Sequence, residues 1–203
     1  MKISVILGTR PEIIKMSPII RRLKEKTHDF FILHTGQHYS YEMERIFFQE
    51  LELPDADYNL EVGSGTHGEQ TGKMLSGIED VLLQEKPDIV LVQGDTNTVL
   101  AGALASSKLG IKVGHVEAGL RSFDRSMPEE INRVIADHLS DYLYPPTTRA
   151  QYNLIQEGIS DNQVFLCGNT IVDALFQNST ISENNLSLLD SLNLQKEGYF
   201  LAT

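Results

Sequence analysis

The 203-residue sequence contains one cysteine, Cys167, and has few basic residues relative to its acidic ones. A lone cysteine cannot build a disulfide framework or a cysteine-rich zinc site. The 17 lysines and arginines face 28 aspartates and glutamates, so the formal net charge is −11. Because this balance repels phosphate groups, we expect no nucleic-acid partner, although a local basic pocket still suits a small anion.

Long hydrophobic stretches are missing as well. No stretch approaches the ~20 apolar residues that cross a bilayer, and the apolar run at residues 3–7 is too short and wrongly flanked for a signal peptide. An apolar content of 41% and a charged content of 22% are typical of globular proteins. The sequence therefore predicts a soluble, cytoplasmic protein with one large domain, or one domain plus a fragment.

Short apolar runs alternate with helical patterns along most of the chain, which is typical of a Rossmann-like, doubly wound parallel α/β sheet. Strands are predicted at residues 3–7, 30–33, 89–92, 112–116, 142–144 and 164–166. Helices are predicted from Pro11, at 40–50, 68–85 and 97–108, from Pro128, and near 147–157 and 170–177. Pro18 should kink the first helix. The helix from Pro128 is expected to bury Ile131, Val134, Ile135 and Leu139.

The pattern changes after residue 176. Residues 177–197 are rich in Asn, Ser and Glu, with a short leucine-bearing segment at 186–192, and residues 199–202 have the composition of another strand. This last strand either completes the same sheet or, after a linker, begins a second domain.

Two charged turns follow predicted strands at the sheet edge where parallel α/β folds bind ligands. The turn at residues 8–11 opens a helix that carries Lys15, so free N–H groups together with Arg10 could hold an anion. A capped turn with two solvated cations is the alternative. The turn at residues 93–97 puts Asp95 at a strand end, after a glycine that allows close approach of a ligand, or else forms a helix cap.

Two further segments carry carboxylates. Glu117 directly follows an apolar strand, where packing alone does not explain a carboxylate, and shares a face with His115. A salt bridge from Glu117 to Arg121 or Arg125 is the alternative interpretation. Glu129 begins the helix at Pro128, where glutamates are ordinarily surface residues stabilised by the helix dipole.

Several common motifs are absent. The glycines and lysine at residues 63–73 lack the P-loop order, and no Gly-x-Gly-x-x-Gly follows the first strand. A Gly-x-Ser-x-Gly esterase elbow is missing too. These absences argue against a P-loop nucleotide site, a Rossmann-type NAD site and an esterase of that kind.

Five segments together resemble the non-hydrolysing UDP-N-acetylglucosamine 2-epimerase family. They are spread in order over about residues 1–176: GTRPEIIK (8–15), QGDTN (93–97), GHVEAGLR (114–121), PEEINR (128–133) and GNTIVDAL (168–175). The resemblance implies two Rossmann-like domains in a glycosyltransferase-B arrangement, with a UDP-sugar in the cleft between them. It divides this chain into an N-terminal domain (1–176), a linker or short helix (177–197) and the start of a truncated second domain (198–203).

The resemblance also implies the reaction, which interconverts UDP-GlcNAc and UDP-ManNAc. UDP is eliminated to give 2-acetamidoglucal and is then added back with the opposite configuration at C2. Matching the motifs makes Asp95, Glu117 and Glu129 the catalytic carboxylates, of which Asp95 and Glu117 also contact the substrate. Arg10 and Lys15 match the substrate-binding cations. No cofactor or metal is implied, the expected assembly is a homodimer through the first domain, and a chain without the second domain should fold but be inactive.

Some segments depart from the family pattern. Residues 37–43 (QHYSYEM) differ from the Gln-His-Arg and Met-Leu-Asp-Gln of bacterial members that their own substrate activates, and the loop at 63–73 lacks the matching arginine. The chain therefore resembles archaeal members more closely. A sister branch that acts on UDP-2,3-diacetamido-glucuronate shares TGQHY (35–39), whereas residues 168–173 favour the GlcNAc branch.

Four alternatives to this function remain open at this point. The chain could belong to that sister epimerase, to a hydrolysing epimerase, or to a glycosyltransferase on the same scaffold. It could also be a non-catalytic, dimerising fragment.

Overall fold

A computed structural model describes residues 1–36, 41–183, 191–195 and 198–200. Its centre is a six-stranded sheet in the order β3-β2-β1-β4-β5-β6, with every neighbouring pair parallel. The strands are β1 (Lys2–Leu7), β2 (Asp29–His34), β3 (Tyr58–Asn59), β4 (Ile89–Gln93), β5 (Lys112–Val116) and β6 (Tyr142–Tyr144). This order is the doubly wound Rossmann order, which confirms the predicted fold class.

In the described part of the chain, seven α-helices connect and cover these strands. They are α1 (Arg10–Glu25), α2 (Tyr41–Glu50), α3 (His67–Glu85), α4 (Asn97–Lys108), α5 (Pro128–Leu139), α6 (Thr148–Gln156) and α7 (Thr170–Glu183). One apolar layer joins α3 and α4 to one face of the sheet, and a second layer joins α1 and α2 to the other face. The strand order reverses between β1 and β4, and a crevice at such a point is where open α/β sheets bind ligands.

The predicted strand at 164–166 is reduced to a single bridge between Leu143 and Val164. Strand β3 was not predicted, because two residues give no alternating pattern long enough to recognise. Residues 37–40, which belong to one of the segments that depart from the family pattern, lie outside the described residues.

Pro18 lies inside α1 without ending it. A proline has no N–H to donate to the carbonyl four residues earlier, which is that of Ile14. The Ser17 hydroxyl donates to this carbonyl instead, at 2.8 Å. The helix consequently continues for seven residues beyond the proline, to Glu25.

The buried face predicted for α5 is wrong in part. Ile131 and Ile135 are 41% and 39% exposed, whereas Asn132 and Asp137 are buried. Helix α5 does have an apolar stripe, but its polar stripe is the one that faces inward. The side chains of this polar stripe form hydrogen bonds with the turns that follow β4 and β5. Of the four predicted core residues, Leu139 does pack against the apolar layer of α3 and α4.

Helix α7 extends to Glu183, so the first part of the predicted linker is helical. The guanidinium of Arg21 in α1 donates to the side chains of Gln177 and Asn178, at 2.6 and 3.0 Å. Most of the leucine-bearing segment and residues 201–203 lie outside the described part of the chain, and Phe200 is fully exposed. The division into domains stays a prediction. None of the described helices is both long and apolar enough to span a membrane.

Candidate active site

The ends of β1, β4 and β5 form the crevice, and tight packing at Gly8 fixes the first of these ends. A Cβ atom at Gly8 would lie 2.1 Å from Thr35 Oγ1 and 2.3 Å from Thr98 Oγ1. These two hydroxyls are hydrogen-bonded to each other at 2.8 Å. No side chain larger than glycine's fits here without displacing them, so the turn that follows β1 is tightly constrained.

Glu117 lies at the end of β5 and is held by two donors. Lys15 Nζ lies 2.7 Å from Glu117 Oε2, and the Gln93 side-chain amide donates to the same oxygen. The backbone of Glu117 has φ +70°, a left-handed conformation that costs a non-glycine residue free energy. The alternative salt bridge to Arg121 is wrong, because the Arg121 guanidinium binds Asp137 at 2.7 Å and Glu157 at 2.6 Å.

Asp95 follows β4 and turns toward α5. Gly94 has φ +88°, which reverses the chain just before the aspartate. The Asp95 carboxylate pairs with Arg133 of α5, and its carbonyl accepts a hydrogen bond from Asn132 Nδ2 at 2.9 Å. Helix α5 therefore positions this carboxylate through both its side chain and its backbone.

These groups surround one small cavity. It has a volume of about 40 Å³ and is lined by Lys15, Gly94, Asp95, Glu117, Leu120 and Arg133. Because ligand pockets usually have volumes of roughly 300–1,000 Å³, this cavity is too small to enclose a whole nucleotide sugar. Two carboxylates and two cations thus converge on one point.

The predicted anion site at the start of α1 is partly occupied by the protein itself. The N–H groups of Gly8 and Thr9 both donate to Glu12 Oε2 at 2.7 Å, and the Thr96 hydroxyl donates to Glu12 Oε1 at 2.6 Å. Burial raises the pKa of Glu12, and these hydrogen bonds oppose that rise. A bound anion would accordingly meet the side chains of Arg10 and Lys15 instead of the two N–H groups.

Two of the predicted site residues stand apart from the cavity. Arg10 is exposed at the start of α1, with its guanidinium 5.8 Å from the centre of the Phe47 ring. Glu129 is exposed in the first turn of α5, and its buried neighbour Glu130 accepts hydrogen bonds from the N–H groups of Ser122 and Phe123. The structure brings Lys15, Asp95 and Glu117 together, and the roles assigned to all five residues stay predictions.

Sequence reasoning missed several residues that shape the site. Glu12 could have been found, because Thr9 and Glu12 have the spacing of a capping box. Gln93 and Arg133 lie within the recognised segments, but nothing in their spacing indicates which carboxylate each one binds. Within the described ranges, no three His, Cys, Asp or Glu side chains are grouped as ligands for a metal ion.

A family model described as UDP-N-acetylglucosamine 2-epimerase matches residues 21–203. The chain belongs to this family. It is 63% identical over 205 residues to the UDP-N-acetylglucosamine 2-epimerase of Methanocaldococcus jannaschii, a match that covers 100% of this chain and 56% of that protein. It is 53% identical over 159 residues to the UDP-2,3-diacetamido-2,3-dideoxy-D-glucuronate 2-epimerase of Pseudomonas aeruginosa, covering 78% of this chain and 45% of that protein. The chain thus spans about half the length of these curated relatives.

Solved structures agree with this family membership. The crystal structure of the M. jannaschii UDP-GlcNAc 2-epimerase in complex with UDP-GlcNAc and UDP is similar with a TM-score of 0.91 and 65% identity, over 95% of this chain and 53% of that one. The lipopolysaccharide outer core galactosyltransferase WaaB has a TM-score of 0.60 at 16% identity, covering 83% of this chain and 46% of that one. At that identity the likeness shows the fold alone, and it agrees with the predicted glycosyltransferase-B architecture.

Proposed function

We propose that this chain is the N-terminal part of an epimerase that interconverts UDP-GlcNAc and UDP-ManNAc. The observation that carries the proposal is the convergence of Asp95 and Glu117, each paired with a cation, on one small cavity at the point where the strand order reverses. The archaeal relatives at 63% and 62% identity, both called UDP-N-acetylglucosamine 2-epimerase, support the choice of substrate.

The proposed chemistry explains why carboxylates and cations are both needed. The C2 hydrogen of the sugar is not next to a carbonyl group, so inversion proceeds through elimination. The C2–H and C1–O bonds break, a C1=C2 double bond forms, and UDP leaves with the electron pair of the C1–O bond. One carboxylate accepts the C2 proton, and re-addition puts a proton on the opposite face of C2 while UDP bonds again to C1.

The residues of this chain divide these tasks by their charge. Asp95 and Glu117 are acceptor-only groups when ionised, which suits proton abstraction. Lys15, which bridges to Glu117 in this structure, is placed to stabilise the negative charge of the departing diphosphate. Arg10 and Glu129, both exposed at helix starts, belong to the proposal as a substrate-binding cation and a third carboxylate.

The proposal also holds that the rest of the substrate cleft is formed by residues that lie outside this chain. The cavity of about 40 Å³ does not enclose a nucleotide, and the matched relatives are about twice as long as the matched region. The UDP pocket would then lie mainly in a second domain. The 203-residue chain alone should fold and bind itself without turning over substrate.

Self-association is proposed through the outward face of α5. Phe123, Ile131 and Ile135 are 68%, 41% and 39% exposed, and they help to line a surface cavity of about 270 Å³. Covering these side chains with a second copy removes apolar area from water. A cytoplasmic location and a role in polysaccharide biosynthesis are included in the proposal on family membership alone.

Proton NMR of UDP-GlcNAc, incubated separately with this chain and with the full-length protein, tests the proposal. We expect UDP-ManNAc to form only with the full-length protein. Free UDP accumulating in step with free sugar would instead identify a hydrolysing epimerase, and UDP released only with an acceptor sugar would identify a transferase. Turnover by the chain alone would contradict the need for a second domain.

The second candidate function is that of the sister epimerase, because the P. aeruginosa relative at 53% identity is called a UDP-2,3-diacetamido-2,3-dideoxy-D-glucuronate 2-epimerase. The same assay with that substrate separates the two branches. Turnover of the diacetamido glucuronate without turnover of UDP-GlcNAc would overturn the first candidate and support the second.

A further inference from the structure

His115 of β5 is fully buried between two hydrogen-bond acceptors. Its Nδ1 lies 2.6 Å from Asp137 Oδ1, and its Nε2 lies 2.8 Å from the carbonyl oxygen of Gly94. A neutral imidazole has only one N–H, so one of these contacts would then set a ring lone pair against an oxygen lone pair. Both contacts become hydrogen bonds only when the ring carries two protons.

The charges around His115 act in opposite directions on this imidazolium, because Asp137 stabilises it and the Arg121 charge opposes it. The Arg121 guanidinium, 1% exposed, lies 2.7 Å from Asp137 Oδ2, which keeps Asp137 ionised and unable to donate to the ring. Arg121 also pairs with Glu157 at 2.6 Å. With His115 protonated, these four groups carry two positive and two negative charges, and Glu157 is the partly exposed member, at 27%. Burial and the Arg121 charge lower the pKa of His115, but the neighbouring Asp137 and the Gly94 carbonyl outweigh them and raise the pKa above its ordinary value.

The partners of this imidazolium belong to the two turns that carry the candidate catalytic carboxylates. Gly94 directly precedes Asp95, and its φ of +88° sets the direction in which the chain leaves β4. Asp137 Oδ2 also accepts the N–H of Gly119 at 3.1 Å, two residues after Glu117. His115 therefore connects the Asp95 turn to the Glu117 turn through one ring and one carboxylate.

We propose that His115 is a positioning residue whose protonated ring fixes Asp95 and Glu117 relative to each other. Loss of one ring proton removes a hydrogen bond to Gly94 or Asp137 and frees the Asp95 turn. The charged groups facing the ring are Asp137 of α5 and Arg121 of the loop after β5. The catalytic consequence rests on the proposed function, whereas the charge state of the ring does not.

Nitrogen NMR of the histidine rings in the 203-residue chain tests the charge state without any assay. At pH 7.5, we expect both ring nitrogens of His115 to show protonated shifts. His34, whose pKa burial lowers to about 4, gives the neutral pattern and serves as the internal reference. An unprotonated nitrogen on His115 at that pH overturns the proposal, whatever the protein catalyses.

The catalytic part is tested in the full-length protein with the variant His115→Gln, whose neutral amide cannot carry the charge of the imidazolium. Loss of a charge-assisted hydrogen bond predicts a fall in kcat of roughly 10- to 100-fold with a nearly unchanged KM. In the wild type, we expect kcat to decline at high pH as His115 loses a proton. This decline should be absent from the His115→Gln variant.

The matched control is His138→Gln. His138 is the next histidine along the chain, is half-exposed, and contacts Glu157 at 3.6 Å. Its substitution therefore removes an imidazole near the same charges but leaves the Asp95 and Glu117 turns unchanged. It should keep the wild-type pH profile. If His115→Gln folds, lowers only the melting temperature and keeps both kcat and its pH profile, the ring is merely structural and the positioning role is wrong. If the wild-type protein turns over neither UDP-sugar, the proposed function fails while the NMR result on His115 stands.

Discussion

Lys15 and Glu117 lie 102 positions apart in the sequence and meet in a salt bridge of 2.7 Å. Their meeting is a consequence of the strand order. Strands β1 and β5 flank β4, so the first turns of α1 and the residue after β5 face each other across the end of β4. The side-chain amide of Gln93, the last residue of β4, donates to the same Glu117 oxygen as Lys15 does. The order of the strands thus brings the two side chains together.

The first prediction concerns the charge of Glu117. Glu117→Gln keeps the size of the side chain and one oxygen for Lys15 but cannot accept a proton. In the full-length protein we expect kcat to fall by about 100-fold or more, since acid–base catalysis contributes roughly 10²- to 10⁴-fold. The rate of UDP-ManNAc formation, followed by proton NMR, measures the effect.

Glu79→Gln is the control for this variant, because Glu79 is an exposed carboxylate on α3, away from the cavity. It should leave the rate unchanged. A Glu117→Gln protein that keeps more than about a tenth of the wild-type kcat is incompatible with Glu117 as a catalytic acid or base.

The second prediction concerns the close packing at Gly8. An alanine there places a methyl group 2.1 Å from Thr35 Oγ1, so we expect Gly8→Ala to lower the free energy of unfolding by about 1–3 kcal/mol, the usual cost of overpacking. Gly72→Ala is its control, because a Cβ at Gly72 in α3 meets no atom within 4 Å. That change should raise stability by about 0.5–1 kcal/mol, since alanine has the better helix propensity.

Urea denaturation of the 203-residue chain compares the two alanine variants directly. Equal effects at the two positions would mean that the Thr35 and Thr98 hydroxyls move aside freely. The turn after β1 would then be less constrained than the structure indicates.

Much of the fold could be predicted from the sequence because the buried strands are apolar on both faces and the helices between them are periodic. The site was only partly predictable. The positions of Asp95 and Glu117 follow from their places after strands, but their partners Arg133 and Lys15 do not, because long-range pairing depends on strand order. The inward face of α5 was assigned wrongly for a related reason. Asn132 and Asp137 are buried by hydrogen bonds to the turns, which hydrophobic periodicity does not register.

The third prediction concerns His34, a buried residue of β2 hydrogen-bonded to Asn59. Burial lowers its pKa to about 4, below the ~6.5 of an unfolded chain. Between these values the unfolded state binds a proton that the folded state does not, so His34 lowers stability as the pH falls. From pH 7 to pH 5 we expect this one residue to account for about 2 kcal/mol of lost stability.

Urea midpoints of wild type, His34→Gln and the exposed-site control His28→Gln at both pH values isolate this contribution. The control corrects for effects of acid that do not depend on His34. One of these is the contribution of His115, which has the opposite sign: its raised pKa adds stability at low pH, and this stability is lost as the pH rises above ~6.5. An identical pH dependence in wild type and His34→Gln would contradict a buried, neutral His34.

The last prediction concerns the outward face of α5. Ile135→Glu puts a charge in the middle of the exposed apolar side chains at Phe123, Met127 and Ile131, so a dimer that covers them should dissociate. Ile46→Glu is the control, because Ile46 is 51% exposed on α2, on the opposite face of the sheet. Sedimentation velocity should show monomer for Ile135→Glu and dimer for wild type and the control. Dissociation by Ile46→Glu alone would move the interface to the α2 side, and a monomeric wild type would remove the proposed dimer altogether.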